Sequence, residues 1–344
     1  MNITFMIGNG FDLNLNLKTS YKDFYNYYTA KTKDDIDDII SISIKNNYEL
    51  WADLELGLGL LLKDIDETQI DSFLDSKANL ESILTDYLTK ENDKFNIADE
   101  NKFVEEFTNK IVNFTEGFCT EDKNQFKNIV SKTTEAINYR FITFNYTTVL
   151  DKMIELVKSK NDKFTSHVGG ATRYTDVLWT PHHIHGTLDG EDLILCVDNP
   201  SQINNEKFQT DRRITDYMIK TNVNKALGER KVETAKEIID KSKYICLFGL
   251  SIGDTDCTWW KYLVEWLNRS DSNRLVLFIR DNSKVQRSGA EKIRLRDKNR
   301  AFFGNRSYCT DAKLYDKIRD KIIIVRNSQI FTYKNIAVEE NSNG

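Results

Sequence analysis

"YICLFGLSIGDTDCTWWKYLVEWLNRSDSNRLVLFI", residues 244–279, decides the fold. An apolar run, Tyr244–Phe248, meets a glycine-containing turn. Trp259, Trp260, Leu263, Trp266 and Leu267 then recur at the spacing of one helical face. Leu275–Ile279 follows, apolar and too short for a helix. Strand, helix and strand in this order form a βαβ unit, which crosses over right-handed. Four more runs of the same kind predict strands: Ile3–Ile7, Phe141–Phe144, Leu193–Val197 and Ile322–Val325. Most are near-continuously apolar rather than alternating, which suits a parallel sheet covered on both faces. The expected class is therefore α/β, a Rossmann-like, mostly parallel sheet with helices on both faces.

Between the first two runs the pattern is helical. Trp51, Leu54, Leu58, Leu61, Leu62 and Ile65 recur at helical spacing, as do Phe103, Phe107, Ile111 and Phe114, then Phe126, Ile129 and Val130. One crossover does not need so much chain. Residues 25–137 are expected to form a helical insertion on a core of 1–24 and 138–333, placed to cover the sheet's C-terminal edge. The polar stretch 334–344 is expected to be a flexible tail.

With 48 Lys plus Arg against 53 Asp plus Glu, the net charge is −5. Bulk attraction to nucleic acid or an anionic membrane is not expected. The longest apolar candidate, residues 56–62, is far short of the ~18 residues a span needs. No basic leader precedes an apolar stretch at the N-terminus, and the five scattered cysteines form no C-x-x-C, so a reducing, cytoplasmic location is expected.

Three short constellations carry candidate chemistry. Gly8-Asn9-Gly10 follows the first strand, where glycines let backbone approach a phosphate. Leu13 stands where the full G-x-G-x-x-G pattern needs glycine, and Asp12 would repel phosphate or bind a ribose hydroxyl. The plainer alternative is a tight strand-to-helix turn. In "FITFNYTTVLD", 141–151, Asn145 falls at a strand end and can hold a ribose hydroxyl or a water, or simply cap the next helix. "HHIHGTL", 182–188, holds three of the four histidines; His183 and His185 alternate on the expected strand and share a face. One of them is a candidate general base, the alternative being satisfied polar side chains at a strand end. No further metal ligand lies near them in sequence, so no metal is expected.

Together these residues resemble AbiH-type bacteriophage abortive infection proteins. The resemblance rests on "IGNGFDLNLNLKTSYKDF", "WADLE" at 51–55, "FNYTTVLD" and "HIHGTL", and spans residues 3 to about 256. More distantly the order of motifs is similar to sirtuin-like NAD-binding domains. That likeness implies NAD as substrate, with Gly8, Asn9 and Gly10 under its phosphates and Asn145 with His185 as the catalytic pair. It further implies Gly249 and Ser251 at the adenosine half, with Asp254 or Asp256 on a ribose; Asp12 stands where sirtuin-like domains have a small residue. The four-cysteine zinc module of sirtuin-type deacetylases is missing, because residues 146–184 contain no cysteine. The implied activity is therefore hydrolysis of NAD to nicotinamide and ADP-ribose by an antiphage effector, held in check until a phage-derived trigger or homo-oligomer assembly releases it. Two alternatives stand beside it. One is a nucleic-acid-acting nuclease, using the basic residues of 284–306 with Asp12, Glu55, Asp254 and Asp256 around Mg²⁺. The other is a nucleotide-sensing protein without turnover.

Overall fold

The computed structural model describes residues 1–32, 38–49, 51, 53–190, 193–281, 288–307, 309 and 311–338. Its strands are β1 (Asn2–Ile7), β2 (Phe95–Ile97), β3 (Asn138–Thr143), β4 (Thr165–Gly169), β5 (Thr172–Leu178), β6 (His182–His183), β7 (Ser242–Phe248), β8 (Arg274–Ile279), β9 (Ile322–Arg326) and β10 (Ile336–Val338). Its α-helices are α1 (Gly10–Asn14), α2 (Tyr21–Lys31), α3 (Ile39–Asn46), α4 (Leu54–Leu61), α5 (Ile70–Asn92), α6 (Glu100–Val112) and α7 (Thr120–Lys132). They continue with α8 (Val149–Lys160), α9 (Arg212–Met218), α10 (Lys220–Ala226), α11 (Lys231–Asp240), α12 (Cys257–Arg269), α13 (Gly289–Arg306) and α14 (Ala312–Ile318).

The main sheet runs β4-β5-β3-β1-β7-β8-β9, with β6 beside the end of β3. Its pairings are parallel except the β4–β5 hairpin. β5 pairs with the start of β3 and β6 with its end, so the two act as one strand broken at residues 179–181. Pro181 lies in that break and has no N–H to donate to a ladder. Counting β5 and β6 as one strand, the parallel strands lie in chain order 3-2-1-4-5-6 across the sheet. This is the doubly wound order, and its switch point falls between β1 and β7.

Successive residues of each central strand point to opposite faces, and both faces are covered. Phe5, Phe141, Tyr244, Val276 and Ile323 pack into one core with α6 and α8. Met6, Ile142, Ile245, Leu275 and Ile322 pack into another with α11, α12 and α14. The five apolar α12 residues read from the sequence are all buried in that second core. The βαβ unit and the parallel sheet are thus as expected.

The helical stretch 25–137 divides between two cores. Phe103, Phe107, Ile111 and Phe114 of its C-terminal part join a sheet face. The helices α2 to α5 form a third core around Phe24, Trp51, Leu58, Phe73 and Leu84. The expected strand Leu193–Val197 is not one. Leu195 and Val197 turn into that third core, and a single parallel bridge, Val197 to Ile219, is all that forms. The tail is also tied down further than expected. Ile336–Val338 pair antiparallel with Phe95–Ile97, and Tyr333 stacks on Phe107 with centroids 6.0 Å apart. Residues 339–344 lie outside the described residues.

Candidate functional site

The loops leaving β1 and β7 touch backbone to backbone. Gly8 N donates to Phe248 O at 3.0 Å, Gly10 N to Gly249 O at 2.8 Å, and Phe11 N to Gly8 O at 2.9 Å. Gly249 has φ +70°, and a Cβ there would stand 2.5 Å from Phe11 N. A Cβ on Gly10 would stand 2.5 Å from Gly249 Cα. Asn9 does not reach outward either: its Nδ2 donates to Thr19 O at 2.7 Å and its Oδ1 accepts from Thr19 Oγ1 at 2.6 Å. The Gly-Asn-Gly run is therefore built first for loop packing, and it ties the turn to the Thr-Ser-Tyr stretch. The Gly8, Gly10 and Phe11 amides are already engaged within these loops.

A cavity of about 1250 Å³ opens over these loops. That exceeds the ~300–1,000 Å³ of ordinary small-ligand pockets. Gly8, Asn9, Gly10, Asp12, Asn145, His185, Gly249 and Ser251 all line it, as do Tyr21, Trp51, Asp53 and Glu55 from the helical layer. Asp254 is not on its wall; it is ion-paired with Arg306 Nη1 at 3.0 Å, and Asp256 faces the cavity in its place. Beside these residues Ile252 has φ +54°. A β-branched residue rarely adopts that conformation, and such strain gathers at functional sites.

Asp12, the Asn145 backbone and His183 are held in place by hydrogen bonds. Thr147 Oγ1 donates to Asp12 Oδ2 at 2.6 Å. Burial lifts the Asp12 carboxyl to about 6, against the pull of Thr147, Asn145 and His183. Asn145 N donates to Thr143 Oγ1 at 3.1 Å. His183 Nδ1 donates to the Asn145 carbonyl at 3.0 Å, and its Nε2 meets Asp151 Oδ2 at 2.9 Å. His183 is thus a brace behind Asn145. His185 diverges from it, because the strand ends at His183; the shared face expected for the two does not form. The His185 ring stands between Phe144 and Tyr146, with centroids at 5.4 and 6.3 Å. Its Nε2 lies 3.4 Å from Asp256 Oδ1, an ion-pair distance short of a formed hydrogen bond.

Behind His185 sits a buried charge chain that the sequence did not announce. Lys220 Nζ donates to Glu55 Oε2 at 2.9 Å, to Asp256 Oδ1 at 2.8 Å and to Thr255 O at 2.8 Å. The bridge between Val197 and Ile219 fixes the backbone just before Lys220. Although burial opposes its charge, Lys220 and His185 hold Asp256 well below the usual carboxylate range. Burial pushes Glu55 up, with Lys220 pulling it down and Asp256 adding to the rise. Burial, then the Lys220 charge, lowers the His185 pKa below 6.5, so the ring is neutral at pH 7. Lys220 carries no motif; it lies in an ordinary polar helix, and only the fold brings it here.

Three buried polar atoms on this cavity have no hydrogen-bond partner among the described residues: Asp12 Oδ1, Asn145 Oδ1 and His185 Nε2. The acids weighed for Mg²⁺ do not gather. Lys220 fills the space between Glu55 and Asp256, and among the described residues no group of three His, Cys, Asp or Glu is arranged around a metal. In the basic segment, Arg300 and Arg306 are paired with Asp320 and Asp254, while Lys284 and Arg287 lie outside the described residues. No helix of the described residues is long and apolar enough to cross a membrane.

No curated protein matches the chain. Residues 4–278, the stretch that holds the Gly-Asn-Gly turn, Glu55, Asn145, His185 and Asp256, match the model of the family described as bacteriophage abortive infection AbiH, and the chain belongs to that family.

Proposed function

We propose that this AbiH-family protein serves abortive infection by hydrolysing the nicotinamide–ribose bond of NAD. One observation carries the reading: Asn145 Oδ1, His185 Nε2 and Asp12 Oδ1 are buried without partners on one cavity beside the β1/β7 switch point. A buried polar atom left unpaired costs about 1–3 kcal/mol. Three together are what a ligand-binding site leaves open. The sirtuin-like order of motifs selects NAD among the ligands such a crevice can take.

The chemistry follows from the residue types. Water adds to C1′ as the C1′–N bond breaks, and its electron pair leaves on nicotinamide. The water proton passes to neutral His185 Nε2, where the Asp256 carboxylate stabilises the imidazolium. Asn145 can orient the water or a ribose hydroxyl. Because uncontrolled NAD loss harms the host, the proposal includes a slow resting state and a phage-derived trigger.

The test is chromatography of nicotinamide and ADP-ribose after incubating the full chain with NAD, with and without phage-infected lysate. His185→Ala and Asn145→Ala are expected to lower the rate about 10²–10⁴-fold. Parental turnover in either variant overturns that assignment. No nicotinamide under any condition overturns the hydrolase.

A further inference from the structure

At the His185 end the cavity wall is both acidic and aromatic. Asp53, Glu55 and Asp256 lie on it, together with Tyr21, Trp51 and Tyr146. The cation paired with these acids is not on the wall: Lys220 sits behind Glu55 and Asp256, with its side chain only 7% exposed, while Lys22 and Arg280 line the same cavity. Three carboxyl groups thus face the space with one ammonium at their backs. The Tyr146 phenol is pushed up by burial and then by Glu55, which puts it in the same field. The unpartnered, buried Asn145 Oδ1 and His185 Nε2 open on the same cavity. Aromatic faces and carboxylates together favour a cation, and above all a flat one.

We propose that this wall is the subsite for the cationic pyridinium ring of an oxidised nicotinamide nucleotide, and that it rejects the same ring bearing a carboxylate in place of the amide. The proposal rests on the nicotinamide reading above and adds its specificity. The amide can donate to the acids. A carboxylate meets the ionised Asp256 and, once Glu55 has lost its proton, a second like charge in a desolvated place, which is how a site discriminates against a close analogue. Asp53 and Glu55 come from the helical layer, so the part of the chain that covers the sheet also selects the ring.

Calorimetry with the full chain at about pH 9, where Glu55, lifted to about 8 by burial, is ionised, tests this, using nicotinamide mononucleotide and nicotinic acid mononucleotide as probes. The parental protein is expected to bind the amide form at least about tenfold more tightly, a difference of about 1.4 kcal/mol. Glu55→Gln is expected to narrow the ratio several-fold. Asp53→Asn gives a second variant, since asparagine still caps α4. Equal affinities in the parental protein, or no binding of either probe, overturn the proposal. A preserved preference without nicotinamide release from NAD keeps the subsite and removes the hydrolase. Equal rates of cleavage of NAD and its nicotinic acid analogue keep the hydrolase and remove the subsite.

Discussion

Asp12 shows how one side chain can oppose the fold it belongs to. It ionises at about 6 in the folded chain against an ordinary 3.8. As pH rises from that ordinary value through 6, the unfolded chain releases its proton first, so stability falls and then levels off. The loss approaches about 3 kcal/mol at most. Asp12→Asn, which can still accept from Thr147, is therefore expected to stabilise the protein against urea at pH 7.5 and to change little at pH 4. Equal effects at both values would assign the cost to packing. His185 has the opposite chemistry. Its burial keeps the ring neutral below 6.5, so NAD turnover should persist on the acid side and decline only below that value. A midpoint at or above 6.5 that survives Asp12→Asn would remove His185 as the base. Gly249 is the backbone counterpart. Gly249→Ala would force a side chain onto φ +70° and against Phe11 N, and a lower melting temperature is expected.

Among the elements, α12 owes its place to two signals of different range. Its tryptophans and leucines mark the buried face within the sequence. Its N-terminus is held by Asp198, distant in the chain, whose Oδ2 accepts from Thr258 N at 3.2 Å and Thr258 Oγ1 at 2.9 Å. Trp260 is nearly fully buried and stacks on Phe144 at 5.9 Å, so Trp260→Ala should cost about 3–5 kcal/mol in urea denaturation. The α4 and α10 pair is joined differently. Lys220 bridges Glu55 and Asp256, and removing it strands two buried acids. Lys220→Met is expected to cost about 3–5 kcal/mol, while a loss under 1 kcal/mol would mean that water already reaches the pair.

Across the whole molecule the sheet supplies one half of the site and the helical layer the other. Gly8, Asn145, His185 and Gly249 stand at strand ends of the parallel sheet, while Tyr21, Trp51, Asp53 and Glu55 close over them from α2 and the approach to α4. The helical layer has its own core, which Leu195, Val197, Phe208 and Met218 complete from late in the chain. Opening this layer would separate Glu55 and Lys220 from Asp256 and widen the cavity. That is a physical route by which the trigger proposed above would change the proposed turnover.

The sequence by itself determined the parallel α/β sheet, the βαβ unit at 244–279 and the strand-end positions of Asn145 and the Gly-Asn-Gly turn. Short apolar runs and a 3.6-residue stripe are local signals, and local signals survive without a fold. The β4–β5 hairpin escaped notice because its residues are mostly polar, with Gly170 at φ +60° in its turn as the one cue. Leu193–Val197 reads as a strand in the sequence yet is none, because an apolar run says that a segment is buried, not which core buries it. Lys220, the brace of His183 behind Asn145, and which of Asp254 and Asp256 lines the cavity were decided by tertiary structure alone. Each depends on contacts between segments far apart in the chain, and a buried charge becomes informative only when its partners are known.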